Sequence, residues 1–83
     1  MSGATVSRVS PLEERLNDVI RSRLHDKGAT ASDVADWTGI SVLRVQKRMD
    51  NQAPWPVNEL YAVALFLGTL PSVLVIEAGE EAT

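Results

Sequence analysis

The chain has 83 residues, one small domain with a thin stability margin, because a chain of this size buries only about 60 % of the surface it exposes on unfolding. Apolar residues make up 45 % and charged residues 23 %; with no cysteine and one histidine, disulfides, thiolate metal sites and the common histidine-cluster metal sites are excluded. The net charge of −3 argues mildly against a nucleic-acid partner, no apolar run approaches the ~18–20 residues of a membrane span, and the N-terminus lacks a signal-peptide core.

Residues 1–9 are small and polar without a sustained period, and read as a flexible arm that can lay Arg8 against a phosphate. Ser10-Pro11-Leu12-Glu13 starts a helix: Ser10 accepts from orphan backbone N–H groups, Pro11 suits the first helical position and Glu13 completes a capping box. Leu12, Leu16, Val19, Ile20 and Leu24 then recur on an arc of about 140°, a core-facing stripe. Gly28 ends the helix, after Lys27 has placed a cation at the negative end of its dipole.

Thr30-Ala31-Ser32-Asp33 repeats the capping-box pattern and opens a short second helix. Val34 and Ala35 are expected inward; phase leaves Trp37 and Thr38 open. Gly39 supplies the left-handed conformation of a sharp interhelical turn, Ile40 plugs that turn, and Ser41 caps a third helix of about nine residues. On that helix Val42, Val45 and Met49 share an apolar edge, while Leu43, Arg44 and Lys47 lie opposite with Arg48 at their flank. Three of the eight basic residues therefore fall between Arg44 and Arg48, whereas residues 57–83 hold four acids and no base. A local basic patch survives an acidic total.

Residues 51–56, NQAPWP, form a loop anchored by Trp55. Residues 57–67 form a fourth helix ended by Gly68, with Val57, Leu60, Tyr61, Ala64, Leu65 and Leu67 on its main face and Val63 and Phe66 outside it. Leu70 to Ile76 reads as a short helix opened by Pro71 or, from its β-branched residues, as a strand; the helix is preferred. Residues 77–83 read as an acidic flexible tail.

No Gly-rich phosphate loop and no metal-ligand spacing is present, His25 sits beside an acid and a lysine as a solvated residue does, and Glu13/Glu14 and Glu80/Glu81 are not an acid/base couple. An enzyme is not expected, nor is a cofactor, a metal, a membrane or a small-molecule substrate. Two short helices about a glycine turn, the second with basic side chains outward, instead meet the requirement for entering the DNA major groove.

Residues 12–74 resemble the Cro/repressor-type helix-turn-helix domain of phage repressors and related bacterial regulators, the XRE-like or lambda-repressor-like family. Gly28, Thr30, Val34-Ala35, Gly39-Ile40-Ser41, Val45, Val57, Leu60, Val63-Ala64 and Leu67-Gly68 carry the likeness without a gap. It implies an all-α, five-helix lambda-repressor-like bundle over residues 10–76, with the helix-turn-helix at about 30–51.

The resemblance also implies groove-reading positions at Ser41, Val42 and Leu43, another at Lys47, and a phosphate-touching loop at Asn51 and Gln52. Arg44 faces a base or a phosphate, and Arg48 a phosphate. Three departures stand out: Ala31 replaces a frequent glutamine phosphate clamp, Arg48 and Met49 exchange the usual apolar and polar positions, and Asp50 opposes a phosphate contact.

The expected function is a sequence-specific double-stranded DNA-binding transcriptional regulator, Cro- or repressor-like, in the nucleoid of a bacterial cytoplasm. It would act as a homodimer through Phe66, Leu70, Val73 and Val75. The rival is an antitoxin-like protein-interaction module bound through Phe66, Leu70 and Val73–Ile76, or an excisionase-like architectural binder.

Overall fold

The first three helices start where a hydroxyl side chain accepts from an orphan backbone N–H. A computed structural model describes residues 7–81, and among these the order is α1 (Pro11–Lys27), α2 (Ala31–Thr38), α3 (Val42–Met49), α4 (Val57–Phe66) and α5 (Pro71–Glu81), with no strand. Ser10 and Glu13 form a reciprocal capping box, as do Thr30 and Asp33. Three helices end in the same way. Gly28, Asn51 and Gly68 adopt positive φ, and the N–H of Ala29, Gln52 and Thr69 reaches back to Leu24, Lys47 and Ala64 respectively. These are Schellman closures, which satisfy carbonyls that would otherwise lose their partners.

The core is formed by Leu16, Val19, Ile20 and Leu24 of α1, Val34 of α2, Val45 and Met49 of α3, Val63 and Ala64 of α4, and Leu74 and Ala78 of α5. Burying a valine or leucine fully contributes about 1.5–3 kcal/mol, so this cluster supplies the main driving force. α1 and α5 lie against each other most extensively, while α2 packs on both α3 and α4. No single helix among the described residues is long and apolar enough to cross a membrane.

The structure corrects several expectations. Leu12, assigned to the stripe of α1, is exposed, whereas Asn17 is buried at 1 % exposure. The fourth helix is turned relative to its expected face: Val63 is fully buried, while Val57 (81 % exposed), Tyr61 and Leu65 face outward. An almost uniformly apolar helix gives no periodic contrast from which to choose a face.

The segment left between helix and strand is helical. It also runs past Ile76 to Glu81, so residues 77–81 are not a tail. Ala78 enters the core, and Glu77 pairs with Arg23 of α1. The hydrogen bond to Glu77 raises the Arg23 guanidinium pKa above its ordinary value. At the other end, residues 1–6 of the expected arm lie outside the described residues, and Arg8 donates its backbone N–H to the Asn51 carbonyl at 2.8 Å.

Candidate nucleic-acid interface

The turn between α2 and α3 is stitched by one hydroxyl. Thr38 donates through Oγ1 to the Val34 carbonyl at 2.7 Å, and Oγ1 itself accepts the Ile40 N–H at 3.2 Å. Gly39 between them has φ 79°, a left-handed conformation that costs an L-residue roughly 1–2 kcal/mol. Ser41 follows in extended conformation, its hydroxyl accepting from the Arg44 N–H at 3.3 Å. That contact leaves the hydroxyl exposed at the start of α3.

Val45 and Met49 fix which side of α3 is turned inward. The opposite side is centred on Lys47, with Leu43 beside it at 69 % exposure and Arg44 at 54 % side-chain exposure. Val42 lies half outward, and Gln46, not singled out from the sequence, is also exposed. The structure thus leaves Leu43, Arg44 and Lys47 together on the outward side of this eight-residue helix, with Ser41 and Val42 accessible at its start.

Arg48 is corrected. Its side chain is only 12 % exposed, and its Nε lies 2.7 Å from Oε1 of Glu59, whose own side chain is 11 % exposed. The two atoms approach as an ion pair without the alignment of a hydrogen bond. The other oxygen, Oε2, accepts from Arg44 Nη2 at 2.6 Å. Glu59 stands in the first turn of α4, so one carboxylate joins two arginines of α3 to the next helix. A largely covered cation at position 48 is tolerated because this acid neutralises it, and Met49 enters the core beside it. Beside this trio, a hollow of about 310 Å³ opens between the turn and α4, lined in part by Gly39, Ser41, Arg44, Asn58 and Glu59.

The loop after α3 is held from beneath. Asn17 donates through Nδ2 to the Arg48 carbonyl at 2.8 Å and to Asn51 Oδ1 at 2.7 Å, and its Oδ1 accepts the Trp55 indole N–H at 2.7 Å. The Asn51 side chain is therefore spent on holding the loop, while Gln52 donates through Nε2 to the Asp50 carbonyl at 3.2 Å. Arg21 caps the end of α3 by donating to the Met49 carbonyl and lies 3.7 Å from the Asp50 carboxylate. Neither Asn17 nor Arg21 carried a sequence signal of this role, because the partners stand about thirty residues away along the chain.

The dimer candidates divide. Phe66 is engaged within the chain, its ring centroid 5.7 Å from that of Trp37 and beneath Lys27 Nζ at 5.3 Å. Leu70, Val73 and Val75 remain exposed, together with Ile76. Among the described residues, no group of three His, Cys, Asp or Glu side chains could hold a metal ion.

The fold has a counterpart among solved proteins. The chain is similar to the crystal structure of the clp gene regulator ClgR from Corynebacterium glutamicum, with a TM-score of 0.77 and 26 % sequence identity over 84 % of this chain and 74 % of that one. The likeness supports the helix-turn-helix fold formed by α2, Gly39 and α3. No protein-family model and no curated protein matches the sequence.

Proposed function

We propose that the chain is a sequence-specific double-stranded DNA-binding regulator of transcription that places α3 in the major groove. The observation that carries this reading is the outward set Leu43, Arg44 and Lys47 on a short helix presented by the Gly39 turn. Arg and Lys reach guanine O6 and N7, an exposed leucine meets a thymine methyl, and a helix of this width fits the groove. Similarity to a gene regulator at 26 % identity supports the same reading.

Ser41 and Val42 stand at the edge of this surface as further base contacts. The loop at Asn51 and Gln52 would meet the phosphate backbone through its peptide groups, the Asn51 side chain being engaged by Asn17. Arg48 serves the assembly as the cation that holds Glu59, not as a phosphate contact. Arg21, close to Asp50, lessens the repulsion that this acid would otherwise exert on a phosphate.

The form most consistent with the resemblance is a Cro- or repressor-like homodimer on paired half-sites. Exposed Leu70, Val73, Val75 and Ile76 form the apolar surface for it, without Phe66. The same surface would serve an antitoxin-like module that binds protein alone, and salt dependence separates the two. If about four cations per complex meet phosphate, duplex affinity should fall about a hundredfold between roughly 50 and 200 mM salt. Failure to retard any duplex at the lower salt would reject DNA binding in favour of the protein-interaction reading.

A further inference from the structure

We infer that Glu59 is a specificity-determining positioning residue, which holds Arg44 so that it reads a base instead of searching the phosphate backbone. The inference rests on the DNA-binding reading above and adds to it a residue outside the helix that enters the groove.

The argument starts from the unequal exposure of the three side chains. Glu59 opens α4, where a carboxylate favours the positive end of the helix dipole and would ordinarily point to water. Here its side chain is 11 % exposed, and each oxygen serves a different arginine. Arg48, itself 12 % exposed, cannot leave Oε1 without stranding the buried Glu59 carboxylate and its own largely covered charge. It therefore fixes the carboxylate in place. Arg44 is the outer member, more than half exposed, and its Nη2 donates to Oε2 at 2.6 Å.

Two consequences follow for Arg44. A guanidinium tethered at one nitrogen keeps its remaining donors in a planar fork whose direction is set before the duplex arrives, so less rotamer freedom is lost on contact. The carboxylate also repels a phosphate placed near Arg44 and cancels part of its charge, which penalises sequence-independent contact. The hollow of about 310 Å³ that Arg44 helps to line leaves room into which an arginine released from Glu59 can swing. The sequence could show none of this, since Arg44 and Glu59 are fifteen residues apart on different helices.

The test compares Glu59→Gln with the wild-type chain, using a duplex selected by the wild type and a duplex of scrambled sequence. The preference for the selected duplex should fall roughly tenfold, the scale of one base-reading arginine. Affinity for the scrambled duplex should rise, and its salt dependence should steepen by about 0.9 in logarithmic slope, as one more cation meets phosphate. In an Arg44→Ala background the same Glu59→Gln change should leave the preference unaltered. Because Glu59→Gln strands Arg48, the double variant Arg48→Met/Glu59→Gln keeps the comparison available in a folded chain. A folded variant with unchanged preference and unchanged salt slope overturns the inference, as does a fall in preference that persists in the Arg44→Ala background. A wild-type chain that prefers no duplex would instead defeat the functional reading itself.

Discussion

Trp55 donates its indole N–H to Oδ1 of Asn17 at 2.7 Å, tying the loop that follows α3 to the middle of α1. Asn17 uses all its principal hydrogen-bonding capacity on residues beyond position 47, with Arg48 and Asn51 receiving its Nδ2 protons. Replacing it with leucine keeps the volume and removes every one of these bonds. Each buried group left without a partner costs about 1–3 kcal/mol, so Asn17→Leu should destabilise by roughly 2–4 kcal/mol. In a domain of this size that lowers the melting temperature by about 10–20 °C, read by far-UV circular dichroism. An unchanged melting temperature would show that the loop does not depend on α1.

α5 is held by two kinds of contact of very different weight. Leu74 is fully buried, and Leu74→Ala should cost about 2–5 kcal/mol, enough to unfold much of so small a domain. The Arg23–Glu77 pair is partly exposed to water, so Glu77→Gln should cost only about 0.5–1 kcal/mol. Because the Arg23 pKa is raised, the contribution of that guanidinium is fully present below its unfolded value and is lost only as pH climbs through the raised one. Urea denaturation between neutral and moderately alkaline pH should therefore show no loss from this group.

What local sequence could and could not reveal follows from where each residue finds its partner. Ser10 with Glu13, Thr30 with Asp33, and Ser41 with the Arg44 N–H are bonded within three positions, and all were readable as helix starts. The outward placement of Leu43, Arg44 and Lys47 follows from phase alone, once Val45 and Met49 are turned inward. Arg48 was misplaced because a flanking position is either solvated or paired beneath the surface, and only Glu59, eleven residues on, decides which. The acidic end looked like a tail because the reason for its helix, Glu77 meeting Arg23, spans more than fifty residues. No contact within the chain assigns these side chains to DNA; that role follows from the family resemblance and from their outward placement on α3.

Self-association has its own test. Val73 is exposed, so Val73→Asp should leave helical content intact while weakening the dimer at least about tenfold in sedimentation equilibrium. Leu70→Asp should act in the same direction. A wild-type chain that stays monomeric at high concentration, free and on DNA, would dismiss the dimer and leave α5 to another role.

Selection of bound sequences from a random duplex pool, run in parallel with the wild-type chain and Lys47→Ala, measures whether α3 reads bases. Lys47 is exposed, so its substitution should change stability by less than about 0.5 kcal/mol and cannot act through the fold. The wild type should enrich one motif, repeated with dyad symmetry at about one helical turn if the chain binds as a dimer. Lys47→Ala should lose about 1–3 kcal/mol on that motif, with preference relaxed at only one or two base pairs. A pool that shows no enrichment with the wild type at low salt, or the same motif and affinity with Lys47→Ala, would contradict the placement of α3 in the groove.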